Sequence, residues 1–444
     1  MIKRVFWVAL FTGLSHLISI ITISYVLNNL GKEVAGYLGV IDSTIMLVAS
    51  IISFGIQLAV NRNVATQSNW HSNYRLGQSS RLTLSFFVML FGIVAYLVEG
   101  NITLLIYCYA PLVALNGDYA LYGNGKPIIA ASLSFLRVAL PNIGILVTGY
   151  FFGPDVVPVY ILLLASGILL AGIISAYFNG VNYFFTPRKK FAKFYFKYLK
   201  VGLYQVAGVL LVPGVLVIAN WFYEIAIIGL VNGLLKLLIV YKGGLRIIVQ
   251  TFFKEIKLSD TANKIDKASL LAWGLVSIPV ILFYDTTLQL VYQDTYAGYP
   301  LLLPLFGVIM LLSSFRNAAE AKALLNRQDN LNLYVFTGAL AAEVITIALF
   351  SFTPQAIWGI PIGFLVGEVI LVLGLGFGLH IPGFFTTRLG FLLKLSPVLI
   401  LAAAIRYFLG PGMYVLAGTL VFYLLWVLVF YRKLVFNSLT EDFG

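Results

Sequence analysis

The sequence predicts an all-α polytopic membrane protein of about 14 (12 to 14) transmembrane helices, in two six-helix lobes with a C-terminal helix pair. Three observations predict it. The 444 residues are 60% hydrophobic and 10% charged with a mean hydropathy of +0.95, whereas about a quarter of a soluble domain is charged. Apolar stretches of about 20 residues, long enough to cross a bilayer as helix, recur along the whole chain. Finally, 24 of the 29 Lys and Arg fall in the loops of a single face.

The expected spans are 5–27, 38–60, 80–98, 102–122, 128–150, 157–178, 201–220, 223–243, 268–291, 299–321, 331–352, 356–379, 391–409 and 412–431. The first follows Lys3 and Arg4 as a signal peptide would. It is too long for a signal core and no small-residue cleavage site follows, so it reads as span 1. Fourteen spans return both termini to one face. That face carries Arg62, Arg75, Arg81, Lys126, the run Arg188 to Lys200, Lys242 to Lys267, Lys322, Arg327, Arg388, Lys394, Arg432 and Lys433. The positive-inside rule makes it cytoplasmic and accounts for most of the net +12, so nucleic acid is not an expected partner. The outer loops are short and mostly acidic (Glu33, Glu99, Asp155, Asp294).

The domain expectation follows from these spans: a six-helix lobe over 1–180, a basic cytoplasmic linker over 181–200, a second lobe over 201–380, and helices 13 and 14 with a cytoplasmic tail over 381–444. In the linker, Lys189, Lys193, Lys197 and Lys200 recur at helical spacing, with Phe191, Phe194, Tyr195 and Tyr198 turned mostly elsewhere. This is an amphipathic helix on the inner leaflet, either anchoring the join or meeting an anionic lipid substrate. The halves also echo each other. Gly13-Leu14-Ser15-His16 opens span 1 as Gly202-Leu203-Tyr204-Gln205 opens span 7, and Tyr37 to Asp42 is matched, one residue out of step, by Ile227 to Asn232. Such an echo implies two bundles in the same orientation.

One cysteine, Cys108, and three scattered histidines, His16, His71 and His380, offer neither a disulfide framework nor a metal site, and no cofactor is expected. Gly374, Gly376 and Gly378 lie inside span 12, with no strand before them, and read as close helix packing. Short outer loops leave little room for a glycosyltransferase, ligase or polymerase site, so no catalytic residues are expected. No pore-loop repeat suggests a passive channel.

Four segments resemble the oligosaccharide (Wzx-type) flippases of the multidrug/oligosaccharidyl-lipid/polysaccharide exporter superfamily. Leu30 to Tyr37 leading to Phe54-Gly55 and Arg62 to Ala65 is similar to the family's opening through span 2. Asp118-Tyr119 with Gly123-Asn-Gly125-Lys126 resembles the Asp-Trp…Gly element ending span 4, with Tyr for Trp. Leu290 to Tyr296 is similar to the family's L-x-G-x-x-Y turn, with Gln293 in place of glycine, and Ala323 to Arg327 resembles the basic turn after span 10. In order and spacing these cover residues 5–380. The resemblance implies a flippase that turns a polyprenyl-diphosphate-linked oligosaccharide from the inner to the outer leaflet of the cytoplasmic membrane, for surface polysaccharide or O-antigen assembly. It also implies membrane lipids, a polymerase and glycosyltransferases as partners. Relatives acting on the peptidoglycan precursor tend to carry several arginines in spans 1 and 2. Here His16 and Arg62 stand there alone, which favours an oligosaccharide unit.

Diphosphate and sugars cross hydrocarbon only along a polar route, so cations at membrane depth are the substrate-binding candidates. Arg137 lies about 15 Å into span 5, with Asp118 as its alternative structural partner. Lys236 lines the route or reaches headgroups with its long stem; Arg316 contacts substrate or pairs with Glu320 four residues on; Arg62 meets the diphosphate at entry or only marks the end of span 2. Arg406, near an outer end, reads as an interfacial anchor, and Asp42 as solvated. His16, Glu343 and Glu368, near the middle of spans 1, 11 and 12, are candidates for ion coupling or for hydrogen-bonded structural roles. The competing expectation is a multidrug or toxic-cation antiporter of the same superfamily.

Overall fold

The computed structural model describes residues 2–57, 70–180, 191–251, 259–326, 328–381 and 383–431. Arg62, Arg188 to Lys190, Arg327, Arg432 and Lys433 lie outside them. Among the described residues the chain is helical without strands. Twelve stretches are long and apolar enough to cross a membrane, and one of these, Pro127–Asn179, contains two helices. The chain is a polytopic membrane protein of the predicted class. It divides into two compact units, Met1–Lys236 and Leu237–Gly444.

The first unit opens with α1 (Ile2–Tyr25), which passes through a wide turn at Val26–Leu30 into α2 (Lys32–Ser53). Next come α3 (Trp70–Glu99), the tight turns Ile102–Tyr109, α4 (Ala110–Leu115) and α5 (Asp118–Gly123). The fourth expected span is therefore broken. Pro111 starts α4, Asn116 is extended at its end, and α5 begins afresh after Gly117. Two unbroken helices follow, α6 (Pro127–Phe152) and α7 (Val157–Asn179). Then come α8 (Phe191–Phe196), α9 (Leu199–Leu210) and α10 (Val215–Ala219), the last two parted at Pro213-Gly214, and α11 (Ile225–Thr251), within which the division falls.

The echoing segments meet inside this unit. A Cβ on Gly229 would come within 1.9 Å of the Lys32 carbonyl oxygen, and one on Gly36 within 2.1 Å of the Ile225 carbonyl oxygen, so only glycine lets α2 and α11 approach this closely. Asn232 Nδ2 then donates to the Ala35 carbonyl at 2.9 Å. Further along, a Cβ on Gly39 would come within 2.7 Å of the Asn232 side chain.

The second unit continues with α12 (Ser259–Ser277), a wide turn at Ile278–Leu282 opened by Pro279, and α13 (Tyr284–Tyr292). Gln293, at the glycine position of the family-like turn, has φ of 50°, a conformation glycine adopts freely and other residues resist. Beyond it lie α14 (Leu302–Leu325), α15 (Asp329–Ser351), α16 (Gly359–Gly378), α17 (Phe384–Leu409) and α18 (Met413–Phe430). A Cβ on Gly374 would come within 2.7 Å of the Val335 side chain, and one on Gly378 within 2.4 Å of that of Leu331, both in α15, the close packing their spacing predicts.

Several helices run past the predicted boundaries, and the overrun relocates charges. Helix α3 begins ten residues before span 3, α2 six before span 2, and α17 seven before span 13, while α11 continues eight beyond span 8. Arg81 and Lys242, expected at the edges of spans 3 and 8, and Arg388, expected in a loop, are thereby well inside helices, and Asp42 is ten residues into α2.

Candidate functional site: buried ion pairs

In the first unit two cations at membrane depth meet carboxylates. Arg137, ten residues past Pro127 at the start of α6, donates from Nη2 to Asp118 Oδ2 at 2.5 Å. Pro141 supplies no N–H one turn on, so the Arg137 carbonyl lacks its helical donor. Asp118 opens α5 because span 4 breaks ahead of it. The break is secured by Gly117 N–H donating to Ser175 Oγ at 3.0 Å and Asn179 Nδ2 donating to the Gly117 carbonyl at 3.1 Å. The Arg137 side chain keeps 28% of its surface exposed.

Lys236, eleven residues past Ile225 in α11, donates to Asp42 Oδ2 at 2.6 Å, and the Tyr160 hydroxyl donates to Asp42 Oδ1. Both ends of the pair sit about 15 Å along their helices. Asp42 is thus a counter-ion where solvation was expected. His16 of α1 is half-buried and within electrostatic range of Lys236.

The same unit holds a buried cation that the sequence placed at the cytoplasmic edge of span 3. Arg81 of α3 is 1% exposed. Its Nη1 donates to Gln78 Oε1 at 2.6 Å and to the Asn116 carbonyl at 2.8 Å, and Nη2 donates to the Val113 carbonyl at 3.2 Å. The guanidinium lies 5.3 Å from the Tyr119 ring centre, and the Tyr119 hydroxyl donates to Gln78 Oε1 at 3.0 Å. A positive group thus caps the carbonyls released where α4 ends. The legible signal was Gln78 three residues before Arg81, a polar pair on one helix face.

The second unit gathers its charges. Glu368 of α16, 3% exposed, accepts from Arg316 Nε on Oε2 at 2.7 Å, from Arg316 Nη2 on Oε1 at 3.1 Å, and from Lys242 Nζ on Oε1 at 2.5 Å. Arg316 also donates to Glu320, the i,i+4 pair the sequence suggested. Two cations and two carboxylates make this set neutral. Glu343 of α15 is 1% exposed, and neither of its carboxyl oxygens has a hydrogen-bond partner. The nearby charges of Lys242 and Glu368 belong to the neutral set already.

Two other arginines serve broken or packed helices. Arg388 of α17 is buried, pairs with Asp266 of α12, and donates to the carbonyls of Phe315 and Phe384 at 2.7 Å each. A cavity of about 270 Å³ beside this pair is lined also by Asn263 and Lys322. Arg406 pairs with Asp285 at 2.8 Å and donates to the Leu282 carbonyl at the break between α12 and α13, so it secures a broken span where an interfacial anchor was expected.

No family model matches the sequence, and no curated protein matches it. Solved structures do share its fold. A lipid II flippase MurJ in an inward closed conformation matches with a TM-score of 0.65 at 15% identity, over 96% of this chain and 99% of that one. A multidrug resistance MATE family transporter of the MOP superfamily, inward-facing, matches with 0.61 at 16% identity, over 84% and 96%. A MATE in complex with Br-NRF matches with 0.55 at 17% identity, over 86% and 95%. At such identities the likeness establishes the fold alone.

Proposed function

We propose that the chain is a flippase carrying a polyprenyl-diphosphate-linked oligosaccharide from the inner to the outer leaflet of the cytoplasmic membrane, for surface polysaccharide or O-antigen assembly. The observation that carries this reading is the extent of the fold likeness. It spans 96% of this chain against a lipid II flippase, and 84% against a multidrug transporter.

Physical chemistry then assigns parts. A diphosphate leaves water only where cations replace its hydration. Arg137 and Lys236 supply them: each is bonded to one carboxylate that no second cation shares among the described residues, and each keeps part of its side chain exposed, at 28% and 15%. The anionic headgroup displaces Asp118 or Asp42, the polyprenyl tail stays in lipid, and alternating access moves the headgroup across, with the six-helix lobes 1–180 and 201–380 as moving parts. Arg62 would receive the diphosphate at entry, and Arg316 holds Glu368 in place. Glu343 holds a proton, since a buried carboxylate without donors or a spare counter-ion carries a penalty of several kcal/mol. It is the proposed coupling group, with His16 beside Lys236 as a second. Both termini are cytoplasmic, and glycosyltransferases and a polymerase act before and after this step.

A chromosomal deletion complemented by the intact gene tests the reading. The expected result is accumulation of undecaprenyl-linked oligosaccharide on the cytoplasmic face, relieved by the intact gene. Unchanged lipid-linked pools, with altered resistance to cationic dyes, would favour a multidrug antiporter. That second reading is supported by the MATE likeness and by Glu343, an unpaired acid suited to a cationic guest.

A further inference from the structure

As an amphipathic anchor, the linker would lay its aromatic side chains in lipid; the folded chain lays Phe191 and Tyr195 on protein. Phe191 stacks on Phe87 of α3, with ring centres 5.7 Å apart. Tyr195 is buried with Ile56, Trp70, Tyr74 and Tyr119, and its hydroxyl donates to the Ile52 carbonyl at 2.5 Å. Burial pushes the Tyr195 phenol above its usual range, which keeps the hydroxyl a donor. Two more contacts hold the same end of α2. Gly55 N–H donates to Gln205 Oε1 at 3.0 Å, and Gly202 lies so near the Phe54 ring that a Cβ would come within 2.2 Å. So α8 and α9 grip the C-terminal end of α2 by its backbone.

What remains outward is basic. Lys193, Lys197 and Lys200 are all exposed, and none of them meets a carboxylate among the described residues. Lys197 Nζ lies 5.5 Å from the Tyr198 ring centre. Between the lysines, Phe196 is 71% exposed and Leu199 41%. Exposed cations interleaved with exposed apolar side chains match the boundary between phosphate headgroups and acyl chains. A purely solvated face would leave Phe196 with nothing to cover it.

We infer that Lys193, Lys197 and Lys200 form a docking surface for acidic phospholipid headgroups, with Phe196 and Leu199 against the acyl boundary. Because the row is tied to α2 through Tyr195, Gln205 and Gly202, an occupied surface steadies the end of α2. This goes beyond the proposed cargo and holds for any cargo; it needs only the orientation given by the basic loops.

The test uses the full chain in vesicles of phosphatidylcholine alone or with phosphatidylglycerol, reading amide hydrogen exchange over 191–203 and over 50–57. Phosphatidylglycerol is expected to slow exchange several-fold in both stretches, and about 1 M salt to remove the effect, since the Debye length is then about 3 Å. The triple variant Lys193→Gln, Lys197→Gln, Lys200→Gln is expected to behave in both vesicles as the native chain does in phosphatidylcholine. Tyr195→Phe should keep the slowing over 191–203 and lose part of it over 50–57. Equal slowing in the triple variant would overturn the inference, and so would no response to phosphatidylglycerol. Slowing by the lipid-linked oligosaccharide alone would also overturn it and give the row to the cargo.

Discussion

The two units handle buried charge differently. In the first, Arg137 and Lys236 have one carboxylate each, Asp118 and Asp42, while Arg81 is held by Gln78 and two backbone carbonyls. In the second, Lys242 and Arg316 converge on Glu368, Arg316 adds Glu320, and Glu343 stands apart with no hydrogen-bond partner. A cation with one partner and some exposure can exchange that partner for an anionic guest. Glu368 and Arg316 are each tied to two opposite charges, so drawing either away leaves a partner charge uncompensated. That contrast is the ground for proposing substrate contact at Arg137 and Lys236; in the second unit a linked ion cluster lies near Glu343.

The largest expected effect comes from opening the linked cluster. Glu368→Gln leaves Lys242 and Arg316 facing each other with too little negative charge, and should cost about 3–5 kcal/mol of stability. Chemical unfolding of the purified protein in detergent reads this; a loss below about 1 kcal/mol would mean that water reaches the cluster. Asp118→Asn should cost less, about 1.5 kcal/mol, because Arg137 keeps partial access to solvent and loses a charge-assisted hydrogen bond rather than all solvation. A cost as large as that of Glu368→Gln would erase the contrast between the units.

The smallest effect sharpens the comparison most. Glu343→Gln replaces a neutral acid by a neutral amide of nearly the same shape, and should shift stability by less than about 1 kcal/mol. Infrared difference spectra should lose a protonated-carboxyl band in the same variant. A destabilisation near that of Glu368→Gln, with no such band, would make Glu343 a charged member of the cluster. If Glu343 couples transport to protons, Glu343→Gln should also flatten the dependence of transport rate on the pH difference across the membrane.

The fold was legible because hydropathy over about 20 residues is a strong signal, and it located every long helix. Breaks at Pro111, Pro213 and Pro279 were less so, since proline also occurs inside unbroken helices such as α6 and α17. The site was only half legible for a related reason. Hydropathy draws a span's edge near the first charge, so Arg81 and Lys242 read as span-edge residues and Arg388 as a loop residue, although their helices run on past them. Asp42 looked like an outer-end residue because Lys32 and Glu33 looked like a loop; they are the first turn of α2. Pairs close in sequence, Arg316 with Glu320 and Arg137 with Asp118, could be named in advance. Pairs far apart, Lys236 with Asp42 and Lys242 with Glu368, could not, because no local pattern encodes a contact across more than a hundred residues.

The central claim is that Arg137 surrenders its bond to Asp118 and meets a diphosphate. Translocation of lipid-linked oligosaccharide in reconstituted vesicles, compared for the native chain, Arg137→Ala and the double variant Arg137→Ala with Asp118→Ala, tests it most directly. The double variant removes both members of the pair, so its thermal stability should recover to near native while translocation stays at least tenfold reduced, equivalent to about 1.4 kcal/mol. Translocation restored along with stability would contradict the claim and leave Arg137 as the structural partner of Asp118 alone.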